Sequence, residues 1–402
     1  MGDKMQIYNF EKHRKIIKED LKNRLNNNKE KIKFVTQGYK REGSLQRDYI
    51  YGKNKEIYNI EELNKNFIHI QNKTIGVKDL DSNYIYKNIS NKNFDFDKFV
   101  NCDFNHIKFE NCSFCGTDFS NCKLKNVYFS HCNFESEFGI AALFNENCLF
   151  ENCTFHKTNL KNTIFDNDKF VLCKLNLSSL RNVIFNNSLI ENIIFSDCDL
   201  KSMKTIDTNI NYLAFEDEYL SKVDENTFVD ILKFDKDKNT YENIFKSYKS
   251  ISAVFEKNGL FNYSGEYYYL SKCAERRCLK GLEKLQSNLF YYICGYGERP
   301  TFALITSLEI VLIFAILYMF CGLCINERII HYNPNILPYL PRKLMYMDLV
   351  DCFYFSLVTF TSVGYGDIFP IGYSVILSCI EMILGVTMVG VWTATLARKI
   401  TR

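Results

Sequence analysis

The stretch TFTSVGYGDIFP (Thr359–Pro370) sets two glycines around a tyrosine, with hydroxyl and apolar residues before them and an acid behind. Its chemistry lies in the backbone rather than in a nucleophile, a base or a metal set. Gly364 and Gly366 allow backbone conformations closed to other residues. Carbonyls turned to one side can then replace the water shell of a bare cation. One strand supplies only part of such an oxygen cage, so several copies of the chain must meet around an axis. The tripeptide alone is not specific, because Gly-Tyr-Gly also occurs in CGYGERP (Cys294–Pro300). There Pro300 suits a first helical turn, and the glycines read as a flexible linker before it.

The surroundings separate the two copies. Two long apolar runs, Thr301–Cys324 and Ile371–Ala397, flank the later one. Each can cross ~30 Å of hydrocarbon, which takes about 20 helical residues. Between them MDLVDCFYFSLVTF (Met347–Phe360) is too short to cross, with Asp348 or Asp351 placed to cap its start. A short apolar helix followed by irregular backbone at membrane depth is tolerated only where that backbone is buried in protein or lines an aqueous path.

Helix, short helix, TSVGYGD and helix together resemble the pore of two-transmembrane potassium channels, over residues 301–402. The resemblance implies an outer helix at 301–324, a pore helix at 348–360, a filter at 361–367 and an inner helix at 371–397. It implies a homotetramer in a lipid bilayer, K+ ions held by the carbonyls of Ser362, Val363, Gly364 and Tyr365, and no other cofactor. The Ser362 hydroxyl would serve the innermost site, where the family usually has Thr, and the missing methyl would loosen that site. Thr361 and Gly366 would support the filter. Tyr365 would face away from the ions among Tyr354 and Phe355, and Asp367 would anchor the outer mouth.

Acids inside the spans are costly and tend to be functional. Glu381 lies about 15 Å along the second run, at 1.5 Å per residue, and precedes Gly385 by one helical turn. This ExxxG resembles the hinge region of bacterial inward-rectifier-like channels, with Gly390 a second hinge candidate. Glu381 is expected to buttress the pore helix from behind, or simply to bond Ser or Thr neighbours. Glu309 is the acid of the first span.

Before residue 300 the chain turns polar, and a second pattern takes over. A large apolar residue returns at every fifth position from Phe99 to Phe134, and again from Phe150 to Leu200, one residue out of phase after the interruption Glu135–Leu149. Two positions earlier stands a small or β-branched residue, such as Cys112, Thr117, Cys122, Val127, Cys153 or Ser178, with Asp97 and Asp168 as exceptions. A period of five fits neither helix nor strand and marks an internal repeat. It resembles the pentapeptide-repeat family, whose chains wind into a right-handed, four-sided β-helix, and the likeness covers about 85–205. The resemblance places the central Phe, Leu or Ile and the small residue inside the coil, and is weak for function. Eight of the 16 cysteines occupy the repeat's small-residue slot, so they read as buried packing. Zinc would want paired Cys-x-x-Cys spacing there.

Around the repeats, 1–84 is expected to be partly helical, its Phe10–Leu25 stretch solvated or touching anionic lipid. Residues 206–298 read as a helical hairpin carrying Ile244, Tyr248, Ile251 and Phe255, then Leu270, Ala274, Cys278, Leu282, Leu285 and Leu289. A net charge of +3 is too mild to suggest nucleic acid. No apolar leader opens the sequence, and Lys and Arg flank the spans on the side of both termini. The expectation is a multi-pass protein of a plasma membrane, a bacterial inner membrane, with both termini cytosolic. The fold class is mixed: a cytosolic β-helix and hairpin, then an all-α two-span pore at 299–402. An enzyme is not expected. Regulation would come through the N-terminal region, from an unidentified cytosolic ligand or partner. Two alternatives stay open, a poorly selective cation channel and a membrane-tethered scaffold that binds a partner protein.

Overall fold

Each large apolar residue of the five-residue pattern sits directly on the one a coil earlier. Phe99 pairs with Phe119, Phe104 with Leu124 and Phe109 with Phe129, all in parallel register. Partners therefore lie four pentapeptides apart, which makes the coil four-sided. The rings stack in columns, with centroids 5.1 Å apart for Phe99–Phe119, 4.5 Å for Phe119–Phe144 and 5.0 Å for Phe144–Phe165. Between the columns the cysteines are buried free thiols. Their Sγ atoms donate to carbonyls of the preceding coil, Cys122 to Phe99 O at 3.3 Å and Cys198 to Leu175 O at 3.1 Å.

The computed structural model describes residues 9–41, 49–60, 67–77, 86–232, 238–325, 328–333 and 341–401. The chain divides into two units, Met1–Cys278 and Leu279–Arg402. Residues 1–8, 42–48, 61–66 and 78–84 of the N-terminal region, residue 85 at the expected start of the repeats, and Arg402 fall outside the described residues.

Asparagine sets the corners of the coil. Asn101, Asn111, Asn121, Asn126, Asn152, Asn162, Asn167 and Asn182 all have φ between 51° and 60°. Asn tolerates this left-handed conformation better than most residues. Asparagine at these positions is thus a conformational requirement. The phase slip has a geometric cause as well. Phe129 pairs with Phe155, 26 residues on, where the regular coil takes 20 (Phe99 with Phe119). Six extra residues are one pentapeptide and one more, so every later column is displaced by one. Five of the six form a turn in which Gly139 N donates to Ser136 O at 2.9 Å and Ala142 N to Phe134 O at 2.9 Å, since Phe144 after it still pairs in phase with Phe119. The sixth lies between Phe144 and Phe150, where Glu146 and Asn147 both have positive φ.

The parallel ladder runs from Tyr49 to Val229, beyond the 85–205 read from the repeat. At the front Ile70 and Ile75 pair with Phe99 and Phe104, and the strand before them, Tyr49–Tyr58, exposes Tyr49, Tyr51 and Ile57 and so hides the period. At the back Thr205 interrupts the apolar series although it pairs with Val229, and Phe195 still pairs with Phe215.

Helices close the unit. α1 (Phe10–Arg41) buries Phe10, Ile17 and Leu21 against the solenoid core. Its charges meet acids of the solenoid, Arg14 with Asp230 at 2.7 Å and Lys18 with Asp207 at 2.6 Å, while Asp20 holds Lys204 at 2.9 Å. This corrects the solvated or lipid-touching helix: the amphipathic face is a docking face within the chain. Asn28 also grips the inserted turn, donating to Ala141 O at 2.9 Å and accepting from Ala141 N at 3.3 Å. α2 (Lys238–Lys257) and α3 (Phe261–Cys278) form an antiparallel pair at the far end. There Leu213 N donates to Ser247 Oγ at 2.9 Å, Leu232 N to Tyr248 Oη at 2.8 Å and Val229 N to Tyr267 Oη at 3.0 Å. Side chains thus satisfy ladder donors that a bare solenoid end would leave unpaired.

The second unit is helical. α4 (Gly281–Cys294), α5 (Pro300–Cys321), α6 (Arg342–Phe360) and α7 (Ser374–Ile400) follow in order. The hairpin read over 206–298 therefore separates into ladder, α2–α3 and α4. Leu282, Leu285 and Leu289 lie exposed on α4 rather than extending the hairpin's core. α5 and α7, of 22 and 27 residues, are long and apolar enough to cross a membrane. Leu323–Ile325 pairs antiparallel with both Arg328–Ile330 and Ile368–Pro370, joining the end of α5 to the start of α7.

Candidate functional site

The glycine-rich segment hangs from the C-terminus of α6. That helix starts at Arg342, not 348, because Asp348 is no cap. Its buried carboxylate accepts bonds from the Arg328 guanidinium and the Tyr332 hydroxyl, tying α6 to the loop after α5. Asp351, the other cap candidate, is half-buried within the helix. At the far end Thr361 N donates to Leu357 O and Val363 N to Val358 O, both at 3.0 Å. Then φ becomes positive at alternate residues, +59° at Ser362, +58° at Gly364 and +75° at Gly366. Alternating handedness turns successive peptide groups toward a common side and makes a concave row of backbone dipoles. Ser362 adopts this conformation without being glycine, which costs of order 1–3 kcal/mol and which its residue type did not signal.

All of 361–367 is exposed in the single chain, with Val363 at 53% and Tyr365 at 71%. Tyr354 donates its hydroxyl to Asp367 Oδ2 at 2.9 Å, so this pair braces the end of the segment. Phe355 turns inward, edge-on to Tyr318 at 4.9 Å. Within one chain, then, the Tyr354 hydroxyl is held by Asp367 and the Phe355 ring by Tyr318. The Thr361 hydroxyl folds back on Leu357 O at 2.7 Å.

Behind the segment lies Glu381, 0% exposed. The Tyr318 hydroxyl of α5 donates to its Oε2 at 2.6 Å, and the Ser356 hydroxyl of α6 donates to its Oε1. Ser356 Oγ also lies 2.8 Å from Val311 O. One carboxyl thereby links three helices. Gly385, one turn on, is a contact point: a Cβ there would stand 1.9 Å from Phe360 O and 2.7 Å from Phe360 C. Gly390 is exposed, with nothing within 4 Å of an added Cβ. Glu309 is exposed on α5 and is not gathered with the others.

In the first unit the two exceptions to the small-residue slot are buried. Asp97 Oδ1 accepts from Ile68 N at 2.8 Å and Asp168 Oδ1 from Cys148 N at 2.9 Å. Burial, with a smaller push from Cys148, raises the Asp168 carboxyl well above the ordinary range. A polar groove of about 230 Å³ runs between α1 and the inserted turn, lined by Arg24, Asn27, Asn28, Lys31 and Asn162. No group of three or more metal-ligating side chains occurs among the described residues.

The earlier Gly-Tyr-Gly, read from sequence as a flexible turn linking to the next helix, has a partner that the sequence did not signal. Gly295, Tyr296 and Gly297 all have positive φ, and the Glu298 that follows pairs with Arg398 at the end of α7, at 2.9 Å. Nothing local in ERP announces a partner a hundred residues away.

Comparison with known proteins agrees with the two-part architecture. Residues 305–402 match an ion channel family, and residues 98–135 match pentapeptide repeats in eight copies. No curated protein matches the chain. Among solved structures, a trypsin-treated variant of QnrB1, a plasmid-mediated fluoroquinolone resistance protein, is similar at 13% identity over 53% of this chain and 98% of its own, with TM-score 0.18. A second trypsin-treated variant of QnrB1 gives 16% identity over 36% and 72%, TM-score 0.15. HetL, a pentapeptide repeat protein involved in heterocyst differentiation regulation from the cyanobacterium Nostoc, gives 10% identity over 41% and 86%, TM-score 0.16. The chain carries an ion-channel domain at its C-terminus and a pentapeptide-repeat solenoid before it.

Proposed function

We propose that this ion channel is potassium-selective and works as a homotetramer in a plasma membrane, with both termini and the repeat unit in the cytosol. One observation carries the reading: positive φ at Ser362, Gly364 and Gly366, in a segment that follows α6 between two spans and stays exposed in the single chain. Four such segments around an axis would present the carbonyls of Ser362, Val363, Gly364 and Tyr365 as successive oxygen cages for dehydrated K+. The exposed faces of Val363 and Tyr365 would be covered by neighbouring copies. Glu381, through Ser356, would hold the short helix that aims the segment. The solenoid would regulate the pore, by a ligand or partner of unidentified chemistry.

The test is flux from liposomes holding the purified full chain. Barium-sensitive K+ flux with little Na+ is expected. Comparable Na+ flux would mean that Ser362 leaves the filter unselective. No flux, together with a stoichiometric co-purifying partner, would point instead to a membrane-tethered scaffold.

A further inference from the structure

The Gly-Tyr-Gly turn before α5 is built around one acid. Gly295, Tyr296 and Gly297 have φ of 51°, 57° and 80°. Three left-handed residues in succession reverse the chain between α4 and α5, and only Tyr296 carries a side-chain penalty for it. The Tyr296 hydroxyl lies 2.9 Å from Ser287 Oγ, which fastens the turn to α4. A Cβ on Gly295 would come within 2.7 Å of Arg299 Cβ, and one on Gly297 within 3.2 Å of Arg398 Nη1. The bare glycine at 297 is what lets the arginine approach.

Glu298 follows, 0% exposed, with Oε1 2.9 Å from Arg398 Nη2. The Arg398 side chain stays 41% exposed, so the pair is dry at one end and wet at the other. Removing the cation would leave the carboxylate buried beside fewer donors, which is the costly way to break such a pair. Arg398 stands in the last turn of α7, where a cation also suits the helix terminus.

From this geometry we infer that Glu298 is a positioning residue for channel opening: it holds Arg398, and through it the end of α7, against the turn that begins α5. The inference rests on the proposed pore, in which α7 lines the conduction path. Its cytosolic end must then move relative to α5 for the path to widen, and the Glu298–Arg398 pair joins those two ends. The turn lies one helix beyond the connection to the first unit: α3 ends at Cys278 and α4 begins at Gly281. Separating the pair releases the end of α7 and leaves in place the glycine-rich segment, which follows the C-terminus of α6.

The test compares Glu298→Gln, Arg398→Gln, the double variant and Arg398→Lys in the full chain. Single-channel recording reads opening, and amide hydrogen exchange reads the mobility of residues 395–401. Both single variants are expected to shift the open-to-closed ratio about tenfold and to speed exchange at 395–401 by a similar factor (~1.4 kcal/mol per tenfold). Conductance and the K+ to Na+ ratio should not change. The double variant should do no more than either single, and Arg398→Lys should stay near the parent. Where Glu298→Gln lowers the yield, Arg398→Gln, altered at the exposed end, carries the comparison. Faster exchange with unchanged opening would make the pair merely structural and overturn the inference, as would additive effects in the double variant. A parent chain that passes no ion would sink the conduction reading itself, a failure seen before any variant is compared.

Discussion

Replacing Gly385 by alanine separates two readings of the inner helix. If Gly385 is a hinge, alanine stiffens α7 and the channel assembles with altered gating. The structure predicts otherwise. An added Cβ would lie 1.9 Å from Phe360 O, 2.7 Å from Phe360 C and 3.1 Å from Phe360 Cα. Close C···O contacts sit near 3.3–3.6 Å, so α7 and the end of α6 must part by roughly 1.4 Å or more. The obstacle is backbone, not a side chain that can swing aside. Moreover, Phe360 is the last residue of α6, immediately before the segment with alternating positive φ. Overpacking of this kind costs about 1–3 kcal/mol where side chains can yield, and the rigid contact here belongs at or above the upper end. Gly385→Ala should therefore lower the yield of assembled protein, shift its thermal midpoint down by several degrees and abolish or strongly cut ion flux. Gly390→Ala is the control: an exposed site with nothing within 4 Å of the new methyl, expected to assemble like the parent and to gain slightly in helix propensity, by up to about 1 kcal/mol. Gly385→Ala protein with parental melting and parental flux would refute the close-contact reasoning.

Glu381→Leu leaves the Tyr318 hydroxyl without its acceptor, at a cost of about 1–3 kcal/mol for a buried group left unpaired, while Ser356 keeps the Val311 carbonyl. It should reduce assembled protein, whereas Glu381→Gln should assemble with a changed open probability, and unchanged gating of that variant at every pH would remove the buttress. Asp168 concerns the solenoid: its raised folded-state pKa means that the folded chain holds this proton more tightly than the unfolded chain, for which about 3.9 is usual. Its contribution is complete below the unfolded value and is lost as pH rises through the folded one. Asp168→Ser, matching Ser178 and Ser188 in the same slot, should raise the melting temperature more at pH 8 than at pH 4, and an equal change at both would refute the assignment.

The repeat was legible because an inward position of a stacked coil tolerates little besides a large apolar residue, and Phe after Phe stands there. The ends were less so. Ile70 and Ile75 stack on Phe99 and Phe104, but only two such residues do not make a visible period, and polar Thr205 in a central slot broke the series that Phe215 continues. The roles of Asp348, Gly385 and Glu298 were hidden for another reason. Each depends on a neighbour brought close by tertiary packing, Arg328, Phe360 and Arg398 respectively, and no local spacing encodes that neighbour. The two Gly-Tyr-Gly copies put the difference in physical terms. Glycine shows that a positive φ is available, not what it is used for. At Gly295 and Gly297 an added Cβ meets the chain's own arginines at 2.6 Å and 3.2 Å, so the freedom there serves to close a turn. At Gly364 and Gly366 it meets nothing within 4 Å, although both keep the same left-handed backbone. Gly259 and Gly281, at helix junctions, are as open with the same sign of φ, so what sets Gly364 and Gly366 apart is their alternation with Ser362, and the proposed function assigns the exposed backbone row that results to ions and neighbouring copies.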